Sequence, residues 1–235
     1  MKMRDTRLIV ALDTQDPETA KGWAEAVGAS AGAVKLGLEF AYAAGMEEIA
    51  SIAAQYPVFL DLKLHDIPNT VAGAIRSLAR IRPVLLTIHA SGGRSMIAAA
   101  RKALDEAFPA DARPVLLAVT VLTSLDEAEL QEMGISDSVE DQVLRLARMA
   151  LDAGADGLVC SAHELAALRQ AFGDKPVLVT PGIRPAGTIA GDQKRIMTPS
   201  QAREAGADWI VVGRPITEAL DPSTAAAAIV AELKA

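Results

Sequence analysis

The chain has 235 residues, of which 51% are hydrophobic but only 3% aromatic. This length permits one α/β domain with a large core, and no Pro- or Ser-rich linker divides it, so we expect a single domain over 1–235. The formal net charge of −7 argues against nucleic-acid binding as the main activity, because the field of the whole protein repels polyanions.

The one cysteine, Cys160, excludes an intrachain disulfide and a metal site built from several cysteines. Its neighbours in GLVCSA indicate a small buried side chain rather than a reactive thiol. No apolar run reaches the roughly 18 residues of a membrane span, and the N-terminus lacks the pattern of a secretory signal. We therefore predict a cytoplasmic protein that binds neither membranes nor nucleic acid.

Short apolar runs rich in β-branched residues recur along the chain and predict eight β-strands. They span residues 7–13, 33–38, 58–64, 84–90, 115–123, 157–162, 177–183 and 209–215. Segments with helical spacing separate them, and this alternation predicts an α/β protein with a closed (β/α)8 TIM barrel. An open doubly wound sheet is the alternative, but it more often has fewer strands and a glycine-rich first turn.

Helix boundaries carry local signals. Asp16 before a proline fits an N-cap, and the segments 161–164 and 198–201 fit the capping box, in which side chains satisfy unpaired backbone N–H groups. Gly154 and Gly206, each followed by Ala-Asp and a predicted strand, are typical of helix ends. These signals support helices between the strands.

Two connections are longer than the rest. The segment after strand five, 124–137, contains LDEAELQEM and predicts an extra short helix. The segment after strand seven, 182–198, is rich in glycine, proline and basic residues. Long loops in compact domains are usually functional or disordered, so we predict a mobile lid over this second segment.

Most predicted strands end in residues able to bind a ligand. These residues are Asp13, Lys35, Asp61, Lys63, His89, Thr123, Gly213 and Arg214. In a barrel the active site gathers at the carboxyl ends of the strands, so we expect these residues to converge on one face.

The segment DLKLHDIPNT (61–70) directly follows the apolar run PVFL. Side chains two apart on a strand share a face, so Asp61 and Lys63 point to the barrel axis and the neighbouring leucines point to the helices. Asp66 comes after the strand, on a loop before Pro68, which suits the first turn of a helix. Asp66 is therefore expected to point elsewhere.

A structural ion pair is the simpler interpretation of Asp61 and Lys63. Asp13 and Lys35 are expected on the same face, however, and burying each ion costs several kcal/mol before pairing offsets it. A mixed cluster of Asp and Lys at an active face therefore favours a catalytic role.

The three histidines lack HxH or HExxH spacing, so we expect no histidine metal centre. His89 has no adjacent nucleophile and is interpreted as a structural or supporting residue rather than a catalytic base. His163 is expected on the surface. Arg184 and Arg214 follow strands seven and eight, where barrels commonly bind phosphate, and are predicted to do so.

Several motifs in fixed order strengthen the interpretation that the strand ends form an active site. They are LIVALD ending at Asp13, VKLG with Lys35, DLKLHDIPNT at 61–70, HASGG at 89–93, TVLTS at 120–124, TPGIRP at 180–185 and VVGRPI at 211–216. With these motifs the sequence resembles the orotidine 5′-monophosphate decarboxylase family over essentially its whole length.

The resemblance implies roles for individual residues. Lys35, Asp61, Lys63 and Asp66 would form an alternating charge network. Other residues would bind the substrate: Asp13 and Lys35 the ribose, Asp61 the region of the carboxylate, Thr123 the pyrimidine amide, Pro181 the base, and Arg184, Gln193, Gly213 and Arg214 the 5′-phosphate.

The resemblance also implies a homodimer, in which Asp66, Ile67 and Thr70 serve the site of the partner. The implied reaction is decarboxylation of orotidine 5′-monophosphate to UMP and CO2, the last step of de novo pyrimidine biosynthesis, without metal or other cofactor. Lys63 would stabilise the C6 carbanion and then donate a proton to it.

Two alternatives stay open. Enzymes similar to 3-keto-L-gulonate 6-phosphate decarboxylase or hexulose-phosphate synthase share the DxKxxD pattern but use Mg2+ to stabilise an enediolate. Those relatives carry an acid where this chain has Lys35, which is a poor neighbour for Mg2+. A non-catalytic ligand-binding barrel is the second alternative, but Lys63 and the acids of the network are all present.

Overall fold

The computed structural model describes residues 5–185 and 197–235, in which strands and helices alternate. The strands are β1 (Arg7–Ala11), β2 (Ala33–Gly37), β3 (Val58–Leu64), β4 (Leu85–His89), β5 (Val115–Val119), β6 (Gly157–Val159), β7 (Val177–Thr180) and β8 (Trp209–Val212). The helices are α1 (Pro17–Val27), α2 (Leu38–Ala53), α3 (Pro68–Leu78), α4 (Gly93–Ala107), α5 (Glu127–Glu132), α6 (Val139–Asp152), α7 (Leu165–Phe172), α8 (Pro199–Ala205), α9 (Arg214–Thr217) and α10 (Pro222–Lys234). Short 3-10 turns precede α4 and α7, at Ala90–Gly92 and Ala162–Glu164.

The strands form a closed barrel in sequence order, β1 to β8. Closure is direct, because β1 pairs in parallel with β2 on one side and with β8 on the other. The predicted (β/α)8 TIM barrel is thus confirmed, and the open doubly wound sheet is excluded.

Several strands end earlier than the apolar runs that predict them. The fifth run extends to residue 123, whereas β5 ends at Val119, and Asp13 lies two residues beyond the end of β1 at Ala11. A strand ends where its neighbour stops pairing with it, and hydrophobic periodicity in one segment carries no information about that neighbour. The predicted strand ends at Asp13 and Thr123 are therefore wrong by a few residues.

The buried side chains form two layers. An inner layer fills the barrel and includes Ile9, Phe59, Leu85, Leu117 and Val211. A larger outer layer packs between the strands and the helices. Successive strand residues alternate between the layers, as the pleat requires.

Several predicted helix signals are confirmed. Asp16 caps α1 by accepting a hydrogen bond from the Thr19 backbone N–H at 3.0 Å. Reciprocal capping boxes begin the 3-10 turn after Ser161 and helix α8 after Thr198. Gly206 ends α8 with φ of 107°, a left-handed conformation that glycine adopts without the cost of a Cβ.

The extra short helix predicted after strand five is α5. The predicted lid over 182–198 lies largely outside the described residues, so its role stays a prediction. In the described ranges no helix has both the length and the apolar character needed to cross a membrane.

Candidate active site

Four charged side chains line up at the carboxyl end of the barrel. Lys35 Nζ lies 2.8 Å from Asp13 Oδ1 and 4.0 Å from Asp61 Oδ2. The same Asp61 oxygen lies 2.8 Å from Lys63 Nζ. Opposite charges therefore alternate along Asp13, Lys35, Asp61 and Lys63, and the network predicted for three of them is present within one chain.

The alternation predicted for β3 is confirmed. Asp61 is buried, with 8% of its surface exposed, while Leu60, Leu62 and Leu64 pack in the outer layer. The two charged side chains therefore share the side away from the helices, as the pleat predicts.

The backbone is irregular where β3 carries these charges. Leu60 pairs with Leu86 and Leu64 with Ile88, so β3 has two more residues than β4 between the shared registers. Within this excursion Lys63 has φ of 49°, a left-handed conformation that costs a residue with a Cβ about 1–2 kcal/mol. The lysine at the centre of the cluster thus sits on strained backbone, a feature typical of functional sites.

Sequence reasoning missed two residues that support the cluster. Thr87 in β4 accepts a hydrogen bond from the Lys63 backbone N–H and donates one to Asp61 Oδ1, both at 2.9 Å. A Cβ on Gly37 would lie only 3.1 Å from Lys35 Nζ, so glycine leaves room for that ammonium. Strand parity offers a signal for Thr87, since it is an inward-facing polar residue between Leu85 and the end of β4.

A cavity of about 220 Å³ opens beside the cluster. Lys35, Asp61 and Lys63 line it together with the predicted substrate residues Thr123 and Pro181. Its other walls are mostly apolar: Phe59, Val119, Val121, Leu122, Val159, Cys160 and Val211. A small apolar pocket with a few convergent polar groups is the usual form of a ligand site.

Basic side chains lie near a second part of this face. Arg184 is buried, and its Nε has no hydrogen-bond partner among the described residues. Burial lowers the pKa of Arg184, and the positive charge of Arg214 lowers it further. Two guanidinium groups that repel each other, one of them with an unsatisfied N–H, favour binding of an anion between them.

Of the two other residues predicted to bind phosphate, Gly213 is described by the structure and Gln193 is not. Gly213 lies next to the charge network, since a Cβ on it would be 3.9 Å from Asp13 Oδ2. Gln193 lies outside the described residues. Ile183 and Met197, which lie on either side of residues 186–196, pair in a parallel β-bridge.

His89 and His65 form a ring contact beside the cluster, with centroids 5.3 Å apart. Burial is the main cause that lowers the pKa of His89 below 6.5, and the charges of His65 and Lys63 lower it further, against the opposing effect of Asp61. A neutral His89 fits the predicted supporting role. His163 is exposed, as predicted.

Cys160 is fully buried, as predicted. Burial raises the pKa of its thiol to about 12, so the side chain is a neutral part of the cavity wall rather than a nucleophile. In the described part of the chain no three His, Cys, Asp or Glu side chains are grouped to hold a metal ion.

Comparison with known proteins agrees with this geometry. A family model described as Orotidine 5′-phosphate decarboxylase / HUMPS family matches residues 6–229. The chain belongs to this family. Its members include a protein named orotidine 5′-phosphate decarboxylase from Gluconobacter oxydans, which is 61% identical over 98% of each chain.

More distant members of the family match over similar lengths. A relative of the same name from Thermobifida fusca is 50% identical over 97% of this chain and 95% of its own. A crystal structure of orotidine 5′-phosphate decarboxylase from Lactobacillus acidophilus superposes with a TM-score of 0.87 at 42% identity, and the match covers 98% of this chain and 100% of that one.

Three residues with roles implied by the decarboxylase resemblance lie apart from the cavity. Asp66, Ile67 and Thr70 are exposed in the single chain, around the start of α3. Asp66 Oδ1 accepts a hydrogen bond from the Ile67 backbone N–H at 2.7 Å, and within the described ranges Asp66 forms no ion pair with Lys63. Their contribution to a partner's site stays a prediction.

Proposed function

We propose that this protein converts orotidine 5′-monophosphate to UMP and CO2, the last step of UMP biosynthesis. The observation that carries the proposal is the Lys63 ammonium, held 2.8 Å from Asp61 at the edge of a mostly apolar cavity, in a chain of the decarboxylase family. Loss of CO2 from C6 leaves a carbanion that no adjacent carbonyl delocalises, so a fixed cation is the stabilising group the reaction needs.

Lys63 acts twice in the proposed mechanism. Its ammonium lies beside C6 and stabilises the negative charge that develops as the C–C bond breaks and CO2 leaves. It then donates a proton to C6, which replaces the carboxyl group. Asp61 holds the ammonium in place, and its carboxylate is positioned near the carboxyl group of the substrate.

The rest of the substrate is assigned to neighbouring residues. Asp13 and Lys35, paired at 2.8 Å, bind the ribose hydroxyls. Thr123 binds the pyrimidine amide, and Pro181 packs against the base. The apolar walls of the cavity support the base in a site with little water, where charge interactions are stronger.

The 5′-phosphate is assigned to Arg184, Gln193, Gly213 and Arg214. Because the phosphate is remote from the breaking bond, its binding energy serves to close the 182–198 loop and to align C6 with Lys63. Among the described residues the Nε of Arg184 has no hydrogen-bond partner, which supports this assignment.

A cofactor-free reaction is part of the proposal and separates it from the Mg2+-dependent branch of the family. Lys35 Nζ lies 4.0 Å and Lys63 Nζ 2.8 Å from the same oxygen of Asp61, so two ammonium groups already face that oxygen. Hard divalent cations prefer oxygen ligands without a competing ammonium. Asp61 is therefore better suited to hold lysines than Mg2+.

The test is a spectrophotometric assay with the purified protein, which follows the loss of orotidine 5′-monophosphate absorbance with and without EDTA. Turnover that survives EDTA is the expected result. Loss of turnover with EDTA and rescue by Mg2+ would instead favour the metal-dependent alternative. Absence of turnover under all conditions would support a non-catalytic barrel.

We further propose a cytoplasmic homodimer in which Asp66, Ile67 and Thr70 complete the partner's site. The exposure of all three in the single chain supports the dimer, since Ile67 is an apolar side chain with 68% of its surface exposed.

Mixing subunits tests whether the site is shared. Asp66→Ala and Lys63→Ala proteins are each expected to be inactive, but a heterodimer has one site with both native residues. An equal mixture, with exchange confirmed, should recover roughly a quarter of wild-type turnover. Heterodimers without recovered activity would argue that each site is built from one chain.

A further inference from the structure

Thr87 is a buried polar residue inside the barrel. It lies in the middle of β4 with none of its surface exposed. Leu85, two residues before it, belongs to the inner layer, whereas Leu86 and Ile88 belong to the outer layer. The Thr87 hydroxyl therefore points to the barrel axis, where it lies among apolar side chains and the charged cluster.

The Thr87 hydroxyl connects the two ends of Lys63. It accepts a hydrogen bond from the Lys63 backbone N–H and donates one to Asp61 Oδ1, both at 2.9 Å. The other oxygen of Asp61, Oδ2, accepts from the Lys63 ammonium at 2.8 Å. One closed ring of hydrogen bonds thus runs from the lysine backbone to its own side-chain nitrogen.

The backbone at Lys63 needs such a partner. Between Leu60 and Leu64 the regular pairing of β3 with β4 is interrupted, and Lys63 has the left-handed φ of 49°. A buried N–H without a partner costs about 1–3 kcal/mol. The side chain of Thr87 supplies the acceptor that the main chain of β4 supplies elsewhere in the strand.

We propose that Thr87 is a positioning residue for the decarboxylation, one that orients both the backbone and the ammonium of Lys63. This inference rests on the proposed function. Thr87 acts through Lys63 and Asp61 rather than on the substrate, so its loss lowers turnover more than it weakens substrate binding. A general structural role would instead lower stability and leave turnover per folded molecule unchanged.

The chain offers a matched control for that structural role. Thr6 is also a buried threonine, and its hydroxyl donates to the Ala207 carbonyl oxygen at 2.7 Å. It precedes β1 at the amino end of the barrel, away from Lys63. Thr6→Val removes a buried hydroxyl at that end without touching the charge network.

Two pairs of variants isolate the hydroxyl. Thr87→Val differs from wild type by a methyl in place of the hydroxyl, and Thr87→Ser differs from Thr87→Ala by the hydroxyl alone. The second pair keeps the test decisive if Thr87→Val does not fold. For each protein, kcat and KM for orotidine 5′-monophosphate, the melting temperature, and hydrogen exchange at the Lys63 amide are measured.

We expect the variants without the hydroxyl to lose about 10- to 100-fold in kcat, with KM changed less than about threefold. Thr87→Ser should keep kcat within about threefold of wild type, and Thr6→Val should lower the melting temperature without lowering kcat. Hydrogen exchange at the Lys63 amide should accelerate in Thr87→Val but not in Thr6→Val.

Equal kcat values for Thr87→Ser and Thr87→Ala would overturn the inference, as would unchanged exchange at the Lys63 amide. These results differ from a failure of the proposed function. In that case wild type itself shows no decarboxylation, while the exchange experiment still reports whether Thr87 holds Lys63.

Discussion

The two ends of the barrel both carry ion pairs, but they hold them differently. At the carboxyl end, Lys63 lies 2.8 Å from Asp61, and among the described residues no other carboxylate is within 4.0 Å of its ammonium. At the amino end, Arg169 pairs with Asp208 at 2.6 Å and also donates to three backbone carbonyl oxygens. The Lys63–Asp61 pair is positioned by the Thr87 side chain, whereas Arg169 is positioned by backbone carbonyl oxygens.

The arrangement at the amino end occurs twice. Gly-Ala-Asp segments at 154–156 and 206–208 precede β6 and β8. In each, one oxygen of the Asp accepts a backbone N–H near the start of the preceding strand at 2.8 Å and pairs with an arginine, Arg101 or Arg169. In each, a Cβ on the glycine would lie 2.9 Å from the Cγ of that arginine.

The difference in partners between Lys63 and Arg169 distinguishes a charge that can act on a ligand from a charge that stabilises the fold. A charge saturated by backbone groups has no capacity left for a ligand, and its removal leaves main-chain groups without partners. A lysine held by one carboxylate keeps N–H donors that a substrate can use. Substitutions at the two ends should therefore have opposite effects on turnover and stability.

Lys63→Ala should have the largest effect. It removes both the proposed stabilising cation and the proton donor, so we expect kcat to fall by about 10⁴-fold or more. The melting temperature should change by only a few degrees, because Asp61 keeps Lys35 4.0 Å away and the hydrogen bond from Thr87, and so is not left as an unpaired buried charge. Steady-state kinetics with calorimetry measures both, and near-normal turnover would refute the mechanism.

Arg169→Ala should show the reverse behaviour. The side chains of Arg169 and Asp208 are only 12% and 27% exposed, and the substitution removes the arginine from Asp208 and from the three carbonyl oxygens to which it donates. We expect the free energy of unfolding to fall by about 3 kcal/mol, measured by urea denaturation. Turnover per folded molecule should not change, and a large loss of kcat would remove the distinction between the two ends.

Arg101→Ala tests how far burial decides the cost within the repeated arrangement. Its partners Asp156 and Asp105 are 42% and 46% exposed, so solvent screens these pairs more strongly. We expect a loss of only about 1 kcal/mol in the same urea experiment. A loss equal to that of Arg169→Ala would show that the shared Gly-Ala-Asp geometry sets the cost, rather than burial or the carbonyl hydrogen bonds of Arg169.

His89 should give the carboxyl end a modest dependence of stability on pH. Its pKa lies below the ordinary 6.5 in the folded chain, mainly because of burial. As pH falls through that range the unfolded chain takes up a proton before the folded chain does, so the free energy of unfolding decreases. Denaturation at about pH 7 and about pH 5 measures this decrease.

The matched variant for this test is His89→Gln, which should reduce the decrease in stability between the two pH values. His163→Gln is the control, since His163 is exposed and should leave the decrease as in wild type. The same decrease in His89→Gln and wild type would show that other groups cause it.

Much of the fold follows from local patterns in the sequence. Eight apolar runs predict the eight strands, and caps at residues such as Asp16, Ser161 and Thr198 predict where helical turns begin. These signals act within a few residues and need no knowledge of neighbours. The strand ends depend on pairing between segments, and they are the part of the prediction that is wrong.

The features of the candidate site also divide into those that local sequence predicts and those that depend on other segments. The shared face of Asp61 and Lys63 follows from the period of a strand, and the structure confirms it. The left-handed backbone of Lys63 has no local signal, because lysine does not favour that conformation. The Thr87 contact follows from how β3 departs from β4, and one segment alone does not reveal it. The roles of Asp66, Ile67 and Thr70 come only from family resemblance.

The excursion in β3 has a consequence for how the barrel and its chemistry are joined. Leu60 to Leu64 comprises five residues while Leu86 to Ile88 comprises three, so the surplus is two residues, an even number. An even surplus leaves the alternation of side chains intact on both sides of it, with Leu60 and Leu64 both in the outer layer. The two extra residues therefore carry the lysine-bearing segment without moving the side chains that follow it into the wrong layer.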